Sequence, residues 1–204
     1  MKRAVLLLSA LFAFVLVLAA CGGGSSSNSS PTTVAGAGST QATGGGPGTT
    51  VHVAKAASDA PSSSAQLVCS NEAKGNIFNG ALGVDTVSPL KPTWDVGSHT
   101  YSCVYHYAGG AYMTLSVHEM SSTEETDAYY KKLEDQLGNV GTFSVPGSQG
   151  AFHTNNGSAV VRKDYKVMLV DMSHIPASFG VPASSRSDNS ANVAFTILGC
   201  WTGA

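Results

Sequence analysis

Tyr101, Tyr105 and Tyr107 recur at odd positions of one short stretch, and Tyr112 follows five residues later. Aromatic rings that carry a polar tip make good contact surfaces for ligands, and this is the one cluster in the chain with promise as a binding face. The other reactive side chains are scattered. The six histidines (His52, His99, His106, His118, His153 and His174) form no His-x-x-x-His spacing, and no Cys-x-x-Cys is present, so no metal site is expected. Nucleophilic catalysis needs a base and a group that orients it, but Gly-x-Ser-x-Gly is missing, and Gly147-Ser148-Gln149-Gly150 has the wrong spacing and reads as a loop. Gly44-Gly45-Gly46-Pro47-Gly48 lacks the Lys-Ser/Thr that completes a phosphate loop. Glu124, Glu125 and Asp127 crowd a helix start, where the helix dipole favours negative charge. Asp171 closes a very apolar strand, and a turn role suits it better than catalysis. No catalytic residue and no cofactor are expected.

The elements that would hold these residues read as follows. Ser70 caps a helix through Glu72 to Leu82, with Ala73, Ile77 and Ala81 at helical spacing, and Gly83 stops it. Residues 84–98, with Pro89, Pro92 and Gly97, read as a loop that Trp94 plugs. Thr100 to Met120 is a hairpin turning at Gly109-Gly110, a pair suited to a two-residue primed turn. That turn sets Tyr107 opposite Tyr112, Tyr105 opposite Thr114, Cys103 opposite Ser116 and Tyr101 opposite His118. One face is then tyrosine-rich, and the other, with Val104, His106, Met113, Leu115 and Val117, is the core face. Ser122-Thr123-Glu124-Glu125 is a capping box for a helix to Leu137, ended by Gly138. Gly141 to Gly150 is a loop. Asn156-Gly157 joins strands at 151–154 and 158–162, and a weaker turn at 163–165 leads to a strand over 166–172, apolar on both faces. After a loop at 173–186, Ser187 or Asp188 caps a last element from Asn189 to Trp201, read as a helix, although Val193 to Leu198 would also fit a strand. The expected fold is α+β, an antiparallel sheet of about five strands with about three helices packed against it, in the order α-β-β-α-β-β-β-α.

Ahead of this domain, Lys2 and Arg3 precede an apolar run from Ala4 to Ala20. At about 17 residues it is at the lower limit for spanning a bilayer, and a basic start, an apolar middle and small residues at the exit are the marks of an export signal. Leu18-Ala19-Ala20-Cys21, followed by Gly22-Gly23-Gly24-Ser25, resembles the lipobox of bacterial lipoproteins. The resemblance implies that residues 1–20 are removed, that the Cys21 thiol receives a diacylglycerol, and that fatty acyl chains of the palmitate kind hold the protein on the extracytoplasmic face of the cell membrane. Two acyl chains anchor stably where one is marginal. Residues 21–66 then form a Gly/Ser/Thr/Ala/Pro-rich tether too poor in apolar surface to fold, with a span of roughly 35–40 Å as a flexible coil. Residues 67–204 form a single extracytoplasmic domain.

The chain carries 11 Lys and Arg against 13 Asp and Glu, and two of the bases lie in the leader. The acidic balance beyond it argues against nucleic acid as a partner. In an oxidising compartment two of Cys69, Cys103 and Cys200 should pair. Cys69 and Cys103 lie near the ends of elements adjoining in sequence and are the favoured pair; Cys69 with Cys200 is the rival.

Cys69-Ser70-Asn71-Glu72 before a helix ending Leu82-Gly83, then Tyr101-Ser102-Cys103-Val104-Tyr105-His106-Tyr107, resembles actinobacterial envelope lipoproteins of unassigned function. Val161-Arg162-Lys163-Asp164, Leu169-Val170-Asp171 and Leu198-Gly199-Cys200-Trp201 fit the same pattern. The resemblance implies a cysteine at the first helix bonded to one on the first strand, and it supplies no catalytic residues. The functional expectation is a membrane-anchored, non-enzymatic binding or sensing module for an envelope protein or a small-molecule ligand. An envelope hydrolase and a carrier of an apolar or lipid ligand are the alternatives.

Overall fold

The structure, a computed structural model, describes residues 56–200. The leader 1–20, Cys21 and most of the expected tether lie outside the described residues.

Two short helices open the fold, α1 (Ser63–Leu67) and α2 (Asn71–Ile77), and α2 runs into a π-helical turn, Phe78–Leu82. Ser62 and Ser70 cap them, each hydroxyl accepting a backbone N–H three residues on. Gly83 ends the turn in the left-handed region, φ 64°, where a Cβ would come within 2.2 Å of the Val181 carbonyl oxygen. The strands are β1 (Thr93–Asp95), β2 (Thr100–His106), β3 (Tyr112–Glu119), β4 (Asn139–Thr142), β5 (Gly150–Thr154), β6 (Ala159–Lys163) and β7 (Lys166–Asp171), with a separate small pair β8 (Ser178–Phe179) and β9 (Ser184–Ser185). Helix α3 (Thr123–Leu137) follows β3, and α4 (Arg186–Cys200) closes the described chain.

The seven strands form one sheet in the order β1-β2-β3-β7-β6-β5-β4, every neighbour antiparallel. The β3–β7 pairing welds the first hairpin to the later meander. Both faces are covered at the centre. On one, Cys103, Tyr105, Met113, Leu115, Val117, Val161, Met168 and Val170 pack with Val68, Ile77, Leu82, Val193, Ala194 and Ile197 of the helical layer. On the other, Phe152, Val160 and Val167 pack under Leu133 of α3. This is why β7 is apolar on both sides.

The α+β class and the antiparallel sheet with helices against it agree with the sequence, but the detail differs. β1 and β4 flank the sheet as edges, β1 inside a stretch read as a loop and β4 running from just after the Gly138 stop into the next one, and β8–β9 lies in a third. Pro92, Asn139 and Gly141 at these edges break the alternation that marks a strand. Helix α4 starts earlier than expected: Ser185, not Ser187 or Asp188, accepts the Asp188 N–H. The fold also reaches back ahead of residue 67. Ala57 donates its N–H to Met120 O at 2.9 Å, Trp94 Nε1 bonds Asp59 O at 3.0 Å, and Ser62 donates both its N–H and its hydroxyl to the Glu119 carboxylate.

The hairpin register needs a full correction. The turn is a 3₁₀ turn of three residues, Ala108–Gly110, closed by Tyr107 N–H to Ala111 O at 2.8 Å, with Gly109 and Gly110 at φ 74° and 79°. Tyr101 therefore pairs with Val117, Cys103 with Leu115, Tyr105 with Met113 and His106 with Tyr112. A slip of one residue sends every side chain of a strand to the other face. The tyrosines of β2 join Met113, Leu115 and Val117 inside, and Val104 and His106 turn to the opposite face.

Candidate functional site

The four tyrosines of the expected face do not share a face. Tyr105 is fully buried and donates its hydroxyl to Val68 O at 2.5 Å. Burial, helped by neighbouring Tyr107 and Tyr101, pushes its phenol far above the usual range. Tyr107 is 2 % exposed, meets Phe179 edge-on at 5.1 Å, and has a buried hydroxyl with no hydrogen-bond partner. Burial and then the Asp85 carboxylate drive its phenol up as well. Tyr101 is half-buried and its phenol is raised by burial. Beside them Cys103 is disulfide-bonded to Cys69, with Cα atoms 5.9 Å apart. This side of β2 ties helices to sheet.

Tyr112 lies on the reverse face with partners that the sequence did not assign to it. Its ring stacks on the His174 imidazole at 4.1 Å, and His106, its cross-strand partner, is 6.0 Å away and tilted. The three rings make a row across the sheet end, with His106 and His174 exposed and Tyr112 half-buried. Around the row the same face of β2 and β3 presents Ser102, Val104, Thr114 and Ser116, all half-buried. Aligning His106 with Tyr112 takes the three-residue turn, and bringing His174 alongside takes the β3–β7 pairing, of which Tyr112 N–H to His174 O at 3.4 Å is an extension. Neither is visible as a local pattern.

A depression adjoins each end of the row. At the His106 end a cleft of about 200 Å³ is lined by Ser88, Pro89, Lys91, Val104 and His106. At the His174 end an open hollow of about 290 Å³ is lined by Gly109, Gly110, Ser173, His174, Pro176 and Arg186 among others. Ser173 Oγ lies 2.9 Å from His174 Nδ1. Asp171 accepts the Ser158 hydroxyl at 3.1 Å and the Ser173 N–H at 2.9 Å, which is turn work.

The remaining described histidines sit apart from the row. His118 is stacked on Tyr129 of α3 at 4.1 Å, with Nδ1 2.9 Å from Thr100 Oγ1, and burial holds its imidazole below the usual range despite nearby Glu125. His153 stacks on Phe143 at 4.5 Å and is likewise lowered by burial. His99 faces the Trp94 ring at 6.1 Å. Among the described residues no group of three or more His, Cys, Asp or Glu is placed to hold a metal ion, and no helix is long and apolar enough to cross a membrane.

Fold and site together define an α+β domain with a seven-stranded antiparallel sheet and a ring row at one sheet end. Comparison with protein-family models, with curated proteins and with solved structures finds no match.

Proposed function

We propose that the protein is a lipid-anchored extracytoplasmic binding module, held at the cell membrane through Cys21, with its ligand face at the His106–Tyr112–His174 row. The anchor rests on Leu18-Ala19-Ala20-Cys21 after an apolar run with a basic start. The observation that carries the binding role is the row itself: three rings on one sheet face, with a depression at each end. Imidazole and phenol rings in that setting offer flat contact area with polar edges, and binding sites are concave surfaces of this composition. The ligand is an envelope component or a soluble small molecule that the tethered domain meets outside the membrane.

Two measurements test the reading. A metabolic acyl label should enter the wild-type protein and be lost in Cys21→Ala; an unlabelled wild-type protein removes the anchor. Photo-crosslinked partners captured on intact cells should be lost in Tyr112→Ala and His106→Ala at unchanged thermal stability, and capture that survives both removes the ligand face.

One observation favours a second reading, an envelope hydrolase: Ser173 Oγ and His174 Nδ1 are in hydrogen-bond contact beside the larger depression. No described carboxylate orients that imidazole in the way a triad requires, which places this reading second. Ester hydrolysis abolished by Ser173→Ala would promote it.

A further inference from the structure

Two arginines lie among the described residues, and the structure treats them differently. Arg162 is paired with Asp127 at 2.5 Å. Arg186, also half-buried, makes no ion pair with any described carboxylate, yet it is held firmly in place. Its Nε donates to Ile175 O at 2.5 Å, and its stem lies against Gly157, where a Cβ would come within 2.5 Å of the Arg186 Cβ. Gly157 is therefore required twice, for its φ of +83° and for the passage of the arginine stem. With Nε committed to the scaffold, the two terminal nitrogens remain as a fork, and Arg186 lines the 290 Å³ hollow. Ser173 and His174 stand on the same hollow, and the Ser173 hydroxyl takes up His174 Nδ1, which leaves the other ring nitrogen for a ligand. Gly109 and Gly110 line it too and add no side chain to the space.

A guanidinium fork matches a carboxylate or phosphate in two parallel hydrogen bonds, and a cation fixed by its stem loses little freedom when it binds. We infer that the Arg186–Ser173–His174 hollow is an oxyanion subsite, which receives a carboxylate or phosphate group of the ligand while the rest of that ligand lies along the His106–Tyr112–His174 row. The inference rests on the binding reading above and adds the chemistry of the ligand. Lys91 in the cleft beyond His106 gives the row a cation at its other end as well, so an extended ligand acidic at both ends fits best.

The test is an NMR titration of the full-length protein in detergent micelles, following the His174 imidazole resonances. Inorganic phosphate and acetate are the two probes, and chloride at matched ionic strength is the control. A saturable shift with phosphate, acetate or both, absent with chloride, is expected, and the stronger probe identifies the group. Arg186→Gln should weaken it at least tenfold and Arg186→Lys about threefold or more, since lysine keeps the charge but not the fork; Lys131→Gln, on the outer face of α3, should leave it unchanged. A shift that chloride reproduces, or that persists in Arg186→Gln, overturns the subsite. If Arg186→Gln does not fold, Arg186→Lys decides, and an unaltered affinity there overturns it equally. Anion binding that stands while Tyr112→Ala leaves partner capture intact spares the subsite and removes the reading beneath it. Capture that depends on the rings without any anion binding does the reverse.

Discussion

Tyr105 and Tyr107 are two residues apart, equally buried and on the same face, yet they contribute differently. The Tyr105 hydroxyl satisfies the buried carbonyl of Val68, whereas the Tyr107 hydroxyl has no partner. Removing one partner of a buried hydrogen bond costs about 1–3 kcal/mol, while removing a hydroxyl that bonds nothing costs little. Tyr105→Phe should therefore lower the urea unfolding free energy by about 1–3 kcal/mol, and Tyr107→Phe should leave it unchanged or raise it. Equal losses in the two variants would show that both hydroxyls are bonded in solution. The same pair shows where sequence reading failed at this scale. The tyrosine cluster was visible, but its direction depended on whether Gly109-Gly110 is the whole turn or its last two residues. Both glycines take positive φ in either case, so composition does not separate the two. The burial of Met113, Leu115 and Val117 was right for β3 and was matched to the wrong residues of β2.

The helices attach to the sheet through a few polar contacts that no local pattern announces. Ser62, the cap of α1, donates its N–H and hydroxyl to Glu119, 57 positions away, and Glu119 lies 4.0 Å from Lys166 across the β3–β7 pair, with both side chains 4 % exposed or less. Losing a buried hydrogen bond to a charged group costs about 1.5–3 kcal/mol. Glu119→Ala should destabilise by about that amount in urea melts and should speed hydrogen exchange at the Ala65 amide, whose partner is the Ser62 hydroxyl. A loss below about 1 kcal/mol would mean that the pair is solvated. Helix α3 carries a pH signature instead. His118, stacked on Tyr129, has its imidazole held down by burial. A folded pKa below the unfolded value of about 6.5 means that the unfolded chain binds more protons, so stability rises with pH through this window. It is complete above the unfolded value and falls as the pH drops toward the folded one. His153, lowered for the same reason, adds to the slope. Tm should decline between pH 7 and pH 5, and less steeply in His118→Gln. The capping box of α3 and the Gly83 stop were legible because they are written within a few residues. α1, β1 and β4 were missed because long-range partners decide them, Glu119 for the first and sheet neighbours for the others.

At the scale of the molecule, the helical layer and the sheet are joined covalently, among the described residues, at one point. Cys69 lies between α1 and α2 and Cys103 in the second strand of the sheet, 34 positions apart. The sequence offered two pairings; the one realised ties the α1–α2 connection to β2, where the Tyr105 hydroxyl also bonds Val68 O. Closing a loop of that length removes chain entropy worth about 2–4 kcal/mol from the unfolded state. For a domain of this size that corresponds to a Tm shift of about 5–15 °C, and it is the largest single contribution open to a redox environment. Reduction should therefore lower the melting temperature by that amount in a Cys200→Ala background, where no other thiol among residues 56–200 can exchange with the pair. The Cys69→Ala/Cys103→Ala protein should melt at the reduced temperature whether or not reductant is present. A melt indifferent to reductant would show that the helical layer docks on the sheet without its tie. The domain would then hold together in a reducing compartment as readily as outside the membrane, and the disulfide would cease to argue for an exported life.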